Sequence, residues 1–281
     1  MTTAVHRAAV LGHPVAHSLS PVLHAAAYAA LGLDGWRYDA VDVTEDALAT
    51  FLRDLDPTWA GLSLTMPLKQ TVLPLLDHVE PLAEVVGAVN TVLVHGAGAG
   101  RTLTGANTDV HGLVRALWEA GVVDGVRTGA VLGAGATAAS TLAALAQLGC
   151  TSPRVYVRTQ ARAGGLLRAA HRMGVEPRLC RLDDAAAEIA RADVVVSTLP
   201  AHAADGVAAA LPASVRGALL DVCYDPSPTA LGAAWAARGG AAVGGERMLL
   251  HQAAEQVRLM TGRVAPLDAM DAALRGALAA A

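Results

Sequence analysis

The chain has almost no lysine. Of its 21 lysine and arginine residues only Lys69 is a lysine, and Ile189 and Phe51 are likewise the only residues of their types. Asparagine occurs twice, as Asn90 and Asn107. Arginine is a planar cation that stays charged, whereas lysine is a compact ammonium that can release its proton. Because nearly every other cation of this chain is arginine, we expect Lys69 at a position where a guanidinium cannot act.

Other scarcities exclude whole classes of protein. The three cysteines (Cys150, Cys180 and Cys223) are odd in number and far apart, which disfavours a disulfide framework or a zinc site and predicts a reducing, cytoplasmic location. No apolar run reaches the length of a membrane span, and the first residues lack the pattern of a secretory signal. A net charge of -4 indicates no excess of basic residues of the kind that binds nucleic acid. We therefore expect a cytoplasmic protein that binds neither membranes nor nucleic acid.

Three histidines near the start of the chain resemble a metal site at first sight. Pro14 and Pro21 interrupt the segment that holds His13, His17 and His24, so the three histidines cannot share one face of a helix. We interpret them as loop or packing residues and predict no bound metal ion.

The first hundred residues alternate short apolar runs with helical patterns. They predict strands at 8–11, 61–65, 91–94 and 101–104, and a helix at 21–31. The last two strands form a hairpin around the glycine-rich turn at 96–100. That turn is not a phosphate-binding loop, because it leads into a strand and a phosphate-binding loop must lead into a helix.

From residue 109 onward the pattern becomes a regular alternation of strands and helices. Helices are predicted at 109–121, 136–148 and 246–261, and strands at 130–132, 154–157, 194–197 and 218–222. This alternation indicates a parallel sheet with helices on its faces. The predicted fold class is α/β with two domains. The first comprises residues 1–108, completed by C-terminal helices at about 250–281, and the second comprises residues 109–249.

The clearest cofactor signal is a loop in the second domain that follows a predicted strand and opens a predicted helix. It fits the fingerprint G-x-G-x-x-A with the residues Gly133, Ala134, Gly135, Ala136, Thr137 and Ala138. The glycines allow a tight turn and close approach of the backbone to a pyrophosphate at the helix N-terminus. In this context a dinucleotide site is favoured over a plain turn. We predict a Rossmann-type, doubly wound dinucleotide-binding domain.

The residues after the next strand indicate which dinucleotide is bound. A carboxylate there would accept a hydrogen bond from the ribose 2′-hydroxyl of NAD. This chain instead has Arg158, Thr159 and Arg162, and no acid before Glu176. Two cations and a hydroxyl suit the 2′-phosphate of NADP. Surface arginines are common in this chain, so the position at the strand end favours Arg158 more than Arg162.

Two serines in the first domain are suited to a carboxylate. Ser18 and Ser20 directly precede Pro21 at the start of a predicted helix, where hydroxyls and backbone N–H groups bind anions. The alternative interpretation is that Ser20 caps the helix, with Pro21 at its first position. Capping would still leave Ser18 for a ligand.

Further polar residues follow strand ends. Thr65 and Lys69 lie just beyond one predicted strand, and Asn90 lies at the start of another. Asn107 and Asp109 lie at the entrance to the second domain, where Asp109 taken alone would be interpreted as a helix cap. These hydroxyl, amide, ammonium and carboxylate groups are typical of a small polar substrate site.

Together these residues resemble the shikimate dehydrogenase family. The matching motifs occur in the family's order and spacing across nearly the whole chain. They are residues 12–21 (GHPVAHSLSP), 63–69 (SLTMPLK), 87–91 (GAVNT), 107–109 (NTD), the loop at Gly133, residues 221–224 (DVCY) and residues 245–252.

The resemblance implies reversible, NADPH-dependent reduction of 3-dehydroshikimate to shikimate, on the route to chorismate and the aromatic amino acids. It implies that Ser18 and Ser20 hold the substrate carboxylate, and that Lys69 and Asp109 act at the reacting carbon and its neighbouring hydroxyl. Matching positions for further substrate contacts are Thr65, Asn90, Tyr224 and Gln252, and for the nicotinamide Val222 and Gly245. Whether the protein is a monomer or a homodimer stays open.

Four positions depart from the family pattern. Ser63 stands where an asparagine is usual, and Ala136 stands at the third glycine of the dinucleotide loop. Val157 replaces an asparagine before Arg158, and residues 197–200 read STLP instead of a loop rich in Asn, Ala and Thr. Three of the four departures, namely Ala136, Val157 and residues 197–200, lie at positions that would contact the cofactor.

Three alternatives remain open. An NAD-using quinate or shikimate dehydrogenase is the nearest, and the missing acid after the second strand disfavours it. A methylenetetrahydrofolate dehydrogenase would share the two-domain plan, but Ser18 and Ser20 suit a small carboxylate better than a pterin. A non-catalytic family member that only binds NADPH or shikimate would not need both Lys69 and Asp109.

Overall fold

A computed structural model of the protein describes residues 5–96 and 98–280, and within these ranges it has 12 β-strands and 12 α-helices. The strands are β1 (His6–Gly12), β2 (Trp36–Asp42), β3 (Trp59–Leu64), β4 (His78–Val79), β5 (Thr91–His95), β6 (Thr102–Ala106), β7 (Gly129–Leu132), β8 (Arg154–Val157), β9 (Arg178–Arg181), β10 (Val194–Ser197), β11 (Ala218–Asp221) and β12 (Ala241–Gly244).

The helices follow the same order along the chain. They are α1 (Ser20–Ala30), α2 (Glu45–Arg53), α3 (Leu68–Thr71), α4 (Pro81–Val86), α5 (Asp109–Glu119), α6 (Ala136–Gln147), α7 (Gly164–Met173), α8 (Ala185–Ile189), α9 (Asp205–Ala209), α10 (Ala230–Ala237), α11 (Gly245–Thr261) and α12 (Leu267–Ala280). Among the described residues, no helix combines the length and the apolar character needed to cross a membrane.

The chain divides into two compact units. Residues up to Thr108 and from Leu250 onward form the first unit, and Asp109–Leu249 form the second. Each unit is built around one six-stranded sheet, which confirms the predicted α/β class.

The sheet of the first unit is mixed, with the strand order β2-β1-β3-β5-β6-β4. Strand β1 pairs in parallel with β2 and β3, and β4 pairs in parallel with β6. Strand β5 is antiparallel to both β3 and β6. The β5–β6 pair is the predicted hairpin, from Thr91 opposite Ala106 to His95 opposite Thr102. Part of its turn, Ala97, lies outside the described residues.

The two faces of this sheet differ in chemistry. Ala9, Leu11 and Leu62 point to one face, where they pack with Leu48 and Leu52 of α2 in an apolar core. Side chains alternate between the faces along a strand. Residues next to these in sequence therefore point the other way, and among them is a buried polar residue of β3, the Ser63 that replaces the family's asparagine. The second face thus contains polar groups inside the fold.

The sheet of the second unit is entirely parallel, with the order β12-β11-β10-β7-β8-β9. Counted from β7, this is the strand order 3-2-1-4-5-6 of a doubly wound dinucleotide-binding domain. The order reverses between β7 and β10, and ligands of such sheets bind at the carboxyl ends of the strands near that point. The Rossmann-type prediction is confirmed.

The core of the second unit is built from small and aliphatic side chains around two aromatic ones. Val194, Val195 and Val196 of β10 are fully buried, as expected for a strand with helices on both faces. Trp235 of α10 and Tyr156 of β8 are its largest buried side chains. A chain with 3% aromatic residues therefore places two of them at the centre of this core.

Candidate functional site

The glycine-rich loop joins β7 to α6 at the point where the strand order of the second sheet reverses. Gly133 has φ +111°, and a Cβ atom there would lie 2.5 Å from the hydroxyl oxygen of Thr198, so the fold itself requires glycine. Gly135 is different, because its φ is -82° and a Cβ atom there would meet no protein atom within 4 Å. Nothing in the described chain requires glycine at Gly135, whereas close approach by the phosphates of a ligand does. The loop therefore fits a dinucleotide.

Ala136 stands at the third glycine position of the fingerprint and is the first residue of α6. That glycine usually permits close packing of the helix on the strand. Here the helix forms directly after Gly135 and its residues Ala138 and Ala139 are buried. The methyl group of Ala136 is therefore compatible with the loop.

A cavity of about 420 Å³ lies beside this loop, lined by Gly133, Ala134, Val157, Arg158, Thr159, Arg162 and Leu199. The side chain of Val157 is buried, while Arg158, Thr159 and Arg162 are exposed. Within the described part of the chain, neither of the two guanidinium groups pairs with a carboxylate. The cavity thus combines an apolar wall with two cations that have no charged partner among the described residues, which suits the binding of a phosphomonoester.

Val222 and Gly245 lie against each other in the second unit. A Cβ atom at Gly245 would overlap the backbone carbonyl of Val222, so only glycine allows this approach. The preceding Asp221 is buried, which raises the pKa of its carboxyl group, and it accepts a hydrogen bond from Thr229 Oγ1 at 2.7 Å. This anchors the loop that carries Tyr224, whose phenol pKa is raised by burial. Tyr224 therefore stays a hydrogen-bond donor.

The start of α1 differs from the expected cap. Ser20 is the first residue of the helix and its side chain does not cap it, so the interpretation of Ser20 as the cap was wrong. Instead Ser18 Oγ accepts a hydrogen bond of 3.3 Å from the backbone N–H of Ser20. The Ser20 hydroxyl is buried and bonds the phenol oxygen of Tyr38. Both hydroxyls lie at the helix start, where an anion is stabilised.

Lys69 lies in the short helix α3, four residues after Thr65. The backbone of α3 is tied to the segment before Asn90, because the N–H of Val89 donates to the carbonyl oxygen of Lys69 at 2.8 Å. Thr65 begins the loop after β3, and its N–H donates to the carbonyl oxygen of Leu11 at 2.9 Å. The side chains of Thr65 and Lys69 are half-buried. The predicted position beyond a strand end is confirmed.

Asn90 is the centre of the polar groups in the first unit. Its Oδ1 accepts from the backbone N–H of Thr108 at 2.7 Å and from Thr91 Oγ1 at 2.9 Å. Its Nδ2 donates to Thr108 Oγ1 at 2.9 Å and to Gln252 Oε1 at 3.3 Å. Asn90, which directly precedes β5, is thereby linked to Thr108 and to helix α11. Asn107 has a structural contact instead, a bond of 2.9 Å from its Nδ2 to the carbonyl oxygen of Ala88.

Four further polar residues belong to this cluster although the sequence did not place them there: Tyr38, Ser63, His24 and Gln256. Tyr38 donates to Ser63 Oγ at 2.6 Å, and Ser63 Oγ donates to Gln256 Oε1 at 2.8 Å. The ring of His24 stacks on Tyr38 with centroids 3.8 Å apart, and its Nε2 lies 3.4 Å from Gln256 Oε1. The one available signal was the spacing of Gln252 and Gln256, which puts both on one face of α11.

The predicted site residues fall into both units. The first unit holds Ser18, Ser20, Thr65, Lys69, Asn90 and Gln252, and the second holds Asp109, Val222, Tyr224, Gly245 and all the predicted cofactor residues. Asp109 is buried and is the first residue of α5, directly after Thr108 in the chain. Among the described residues, no group of histidine, cysteine and acidic side chains has the arrangement of a metal site.

The fold and the site define a class: an α/β protein that joins a mixed-sheet unit with a buried polar cluster to a dinucleotide-binding unit. Three family descriptions match the chain. Residues 10–92 match the shikimate dehydrogenase substrate binding domain, residues 125–204 match shikimate / quinate 5-dehydrogenase, and residues 245–275 match the shikimate 5'-dehydrogenase C-terminal domain.

Similar proteins extend this match to nearly the whole chain. The shikimate dehydrogenase (NADP(+)) of Moorella thermoacetica is 39% identical over 280 residues, which cover 97% of this chain and 93% of that protein. The crystal structure of Mycobacterium tuberculosis shikimate dehydrogenase is 40% identical, with a TM-score of 0.84 and coverage of 97% and 99%. That of the Thermus thermophilus enzyme in complex with NADP(H) and shikimate is 36% identical, with a TM-score of 0.82 and coverage of 98% and 100%. The chain belongs to the shikimate dehydrogenase family.

The buried histidine of the cluster generates a prediction about pH. Burial lowers the pKa of His24 from 6.5 to about 3, and the hydrogen bond to Gln256 opposes this only in part. Below pH 6.5 the unfolded chain therefore binds a proton that the folded chain does not, so the free energy of unfolding falls as the pH decreases towards 3. At about pH 5 the loss from this group is about 2 kcal/mol. Urea unfolding at about pH 7.5 and pH 5 measures it.

The matched control is His24→Gln, which removes the titrating ring and keeps a polar side chain. Its free energy of unfolding should depend less on pH over this range, whatever its value at neutral pH. Equal pH dependence in the two proteins would show that the pKa of His24 is the same in the folded and the unfolded chain.

Proposed function

We propose that the protein is an NADP-dependent shikimate dehydrogenase, which reversibly reduces 3-dehydroshikimate to shikimate on the route to chorismate. The observation that carries the proposal is similarity over almost the full chain to a Thermus thermophilus enzyme solved with NADP(H) and shikimate. The polar cluster of the first unit and the cationic cavity of the second support it from the protein's own chemistry.

NADP is favoured over NAD by the groups after β8. A carboxylate at this position would repel a 2′-phosphate, and the chain has no acid there. Arg158, Thr159 and Arg162 line the cavity instead, beside Gly133 and Ala134 of the glycine-rich loop. The N-terminus of α6, with the backbone N–H groups of Gly135, Ala136 and Thr137, would hold the pyrophosphate.

The substrate carboxylate is bound by Ser18 and Ser20. Both hydroxyls lie at the start of α1, and neither is needed as an ordinary side-chain cap of the kind first expected for Ser20. A carboxylate there gains two hydroxyl donors and the favourable end of the helix dipole. This end of the substrate does not react, so the serines contribute to affinity and not to turnover.

The ring hydroxyls and the ketone are bound by residues around Asn90. Asn90 and Gln252 supply amide groups, and Thr65 supplies a hydroxyl. The second unit contributes Tyr224, a protonated phenol. Val222 and Gly245, whose backbones lie in contact, would hold the nicotinamide.

Bound NADPH supplies the hydride that reduces the C3 ketone. Lys69 stabilises the oxygen that becomes negative and donates a proton to it, as a compact ammonium can and a guanidinium cannot. Asp109 is the acceptor proposed for the substrate hydroxyl next to the ketone. Asp109 is suited to a fixed orientation because it is buried in the first turn of α5.

The first test is the reaction itself, with Arg158→Ala as its variant. Purified protein with shikimate should reduce NADP faster than NAD, followed at the nicotinamide absorbance band. Arg158→Ala should weaken NADP binding about tenfold to a hundredfold, since a charge-assisted bond to phosphate contributes about 1.5–3 kcal/mol. The KM for shikimate should hardly change.

The matched control is Arg216→Ala, which removes another exposed arginine of the second unit from the loop before β11. It should leave both KM values within about twofold, since the start of a parallel strand lies at the sheet edge opposite the cofactor loops. Equal rates with NAD and NADP would contradict the cofactor assignment. Binding of both ligands without turnover would instead support a non-catalytic family member.

The second test concerns the lone lysine. Lys69→Ala should reduce kcat about a hundredfold or more, within the usual range for loss of a general acid. Lys69→Arg should not restore it, because a guanidinium is bulkier and keeps its proton. Steady-state kinetics with shikimate and NADP measures both variants, and circular dichroism checks that they are folded.

The composition adds a control that needs no substitution. Apart from the N-terminal amine, Lys69 is the only amine in the chain, so peptide mapping can follow an amine-directed reagent at two groups. Activity should fall in step with labelling of Lys69, and shikimate with NADP should slow both. A protein fully labelled at Lys69 that keeps its original rate would exclude the lysine from the reaction.

A further inference from the structure

We propose that Tyr38 is a positioning residue for the substrate, which acts through Ser63 and Gln256 on the amide of Asn90. The inference rests on the proposed function, because it takes Ser20, Asn90 and Gln252 as the groups that bind shikimate. None of the family motifs in the sequence contains Tyr38, and Ser63 is a departure from one of them.

The chain of contacts crosses the buried second face of the first sheet. Tyr38 lies on β2, Ser63 on β3 and Thr91 on β5, and all three are buried. Helix α11 covers them with Gln256, which is 1% exposed. The contacts run from Tyr38 to Ser63 at 2.6 Å and from Ser63 to Gln256 at 2.8 Å. They continue from Gln256 Nε2 to Thr91 Oγ1 at 3.0 Å.

Two backbone groups determine the direction of every bond in this chain. The backbone carbonyl oxygen of Asn90 can only accept, and it lies 3.2 Å from Gln256 Nε2. Gln256 therefore presents its NH₂ group to β5 and its Oε1 to Ser63. Ser63 must then donate to Gln256, so its oxygen accepts the proton of Tyr38.

The second of these backbone groups is the N–H of Thr108, which can only donate and whose acceptor is Asn90 Oδ1. Because Gln256 donates to Thr91 Oγ1, the Thr91 proton is also directed to Asn90 Oδ1. Both contacts hold the amide of Asn90 in one orientation, with its Nδ2 towards Gln252 Oε1. The NH₂ group of Gln252 then lies on the opposite side of its own amide.

Gln256 uses all of its hydrogen-bonding capacity within the protein. Its Oε1 accepts from Ser63 and from the Nε2–H of His24, and its Nε2 donates to Asn90 and Thr91. His24 is uncharged, because burial lowers its pKa to about 3. An uncharged ring that donates from Nε2 accepts at Nδ1, where the hydroxyl of Tyr28 lies at 3.4 Å. The side chain of Gln256 therefore bridges Ser63 and β5 in one fixed orientation.

Tyr38 also contacts the other end of the substrate site. Its phenol oxygen forms a hydrogen bond with Ser20. Ser20 is the donor, because Tyr38 donates its own proton to Ser63. When a carboxylate binds, Ser20 turns its proton to the carboxylate while Tyr38 stays bonded to Ser63. One phenol hydroxyl thus joins the carboxylate-binding serine to the amides that bind the ring hydroxyls.

The experiment measures shikimate affinity and kinetics in four proteins: the unmutated protein, Tyr38→Phe, Ser63→Ala and the double variant. Tyr38→Phe should raise the Kd and the KM for shikimate about fivefold, the effect of one net hydrogen bond, while kcat and the KM for NADP change less than about twofold. If Tyr38 acts through Ser63, adding Tyr38→Phe to the Ser63→Ala variant should leave its affinity for shikimate almost unchanged.

The matched control is Tyr28→Phe. Tyr28 is a buried tyrosine of the same core, and its hydroxyl is bonded to neither Ser63 nor Ser20 but to His24, which separates it from Gln256. A general loss of packing would change both tyrosine variants alike. We expect Tyr28→Phe to leave shikimate affinity within about twofold, although it loses stability comparable to that lost by Tyr38→Phe.

The proposal is overturned if Tyr38→Phe leaves shikimate affinity unchanged, if Tyr28→Phe weakens it equally, or if the effects of Tyr38→Phe and Ser63→Ala multiply. Calorimetric titration with shikimate measures the dissociation constant directly and does not depend on turnover. Binding of shikimate with no oxidation would therefore contradict the proposed function and still decide the role of Tyr38. No binding of shikimate by the unmutated protein would overturn both.

Discussion

The hydrogen bonds of a single amide hold the polar part of the first unit in place. Asn90 is 2% exposed, and a buried amide is costly unless each of its donors and acceptors has a partner. It finds these partners in a backbone N–H, two threonine hydroxyls and the amide of Gln252. Because these groups come from β5, from Thr108 and from α11, satisfying one side chain fixes three distant segments of the chain against each other.

The second unit depends on backbone geometry more than on side chains. Its parallel sheet has the strand order that creates a binding crevice at the carboxyl ends of β7 and β10. Gly133 and Gly245 bring backbone segments closer than any other residue would allow. Arg158 and Arg162 after β8 add positive charge beside the loop, so the choice between NADP and NAD is separate from the fold. This explains how departures such as Val157 and Ala136 leave the architecture intact.

Much of the fold could be predicted from the sequence, because apolar periodicity and glycine positions are local signals. The hairpin of β5 and β6 and the alternation from β7 to β11 follow from such signals. The strand β9, a short edge strand with arginine at both ends, does not. Nor does the polar cluster, since Ser63 and Gln256 are 193 positions apart and Tyr38 looks like any strand tyrosine. Polar contacts between distant segments leave no periodic pattern in one sequence.

The central claim is that Asn90 organises the proposed substrate site of the first unit, and Asn90→Asp tests it most directly. The substitution keeps the shape of the side chain but removes both donors, so the bond to Gln252 Oε1 is lost and Thr108 Oγ1 can no longer accept from this side chain. Calorimetric titration should show shikimate binding weakened about tenfold or more, as expected for lost bonds at a buried polar group, with NADP binding within about twofold of the unmutated protein. A folded Asn90→Asp protein that binds shikimate with unchanged affinity would contradict the account.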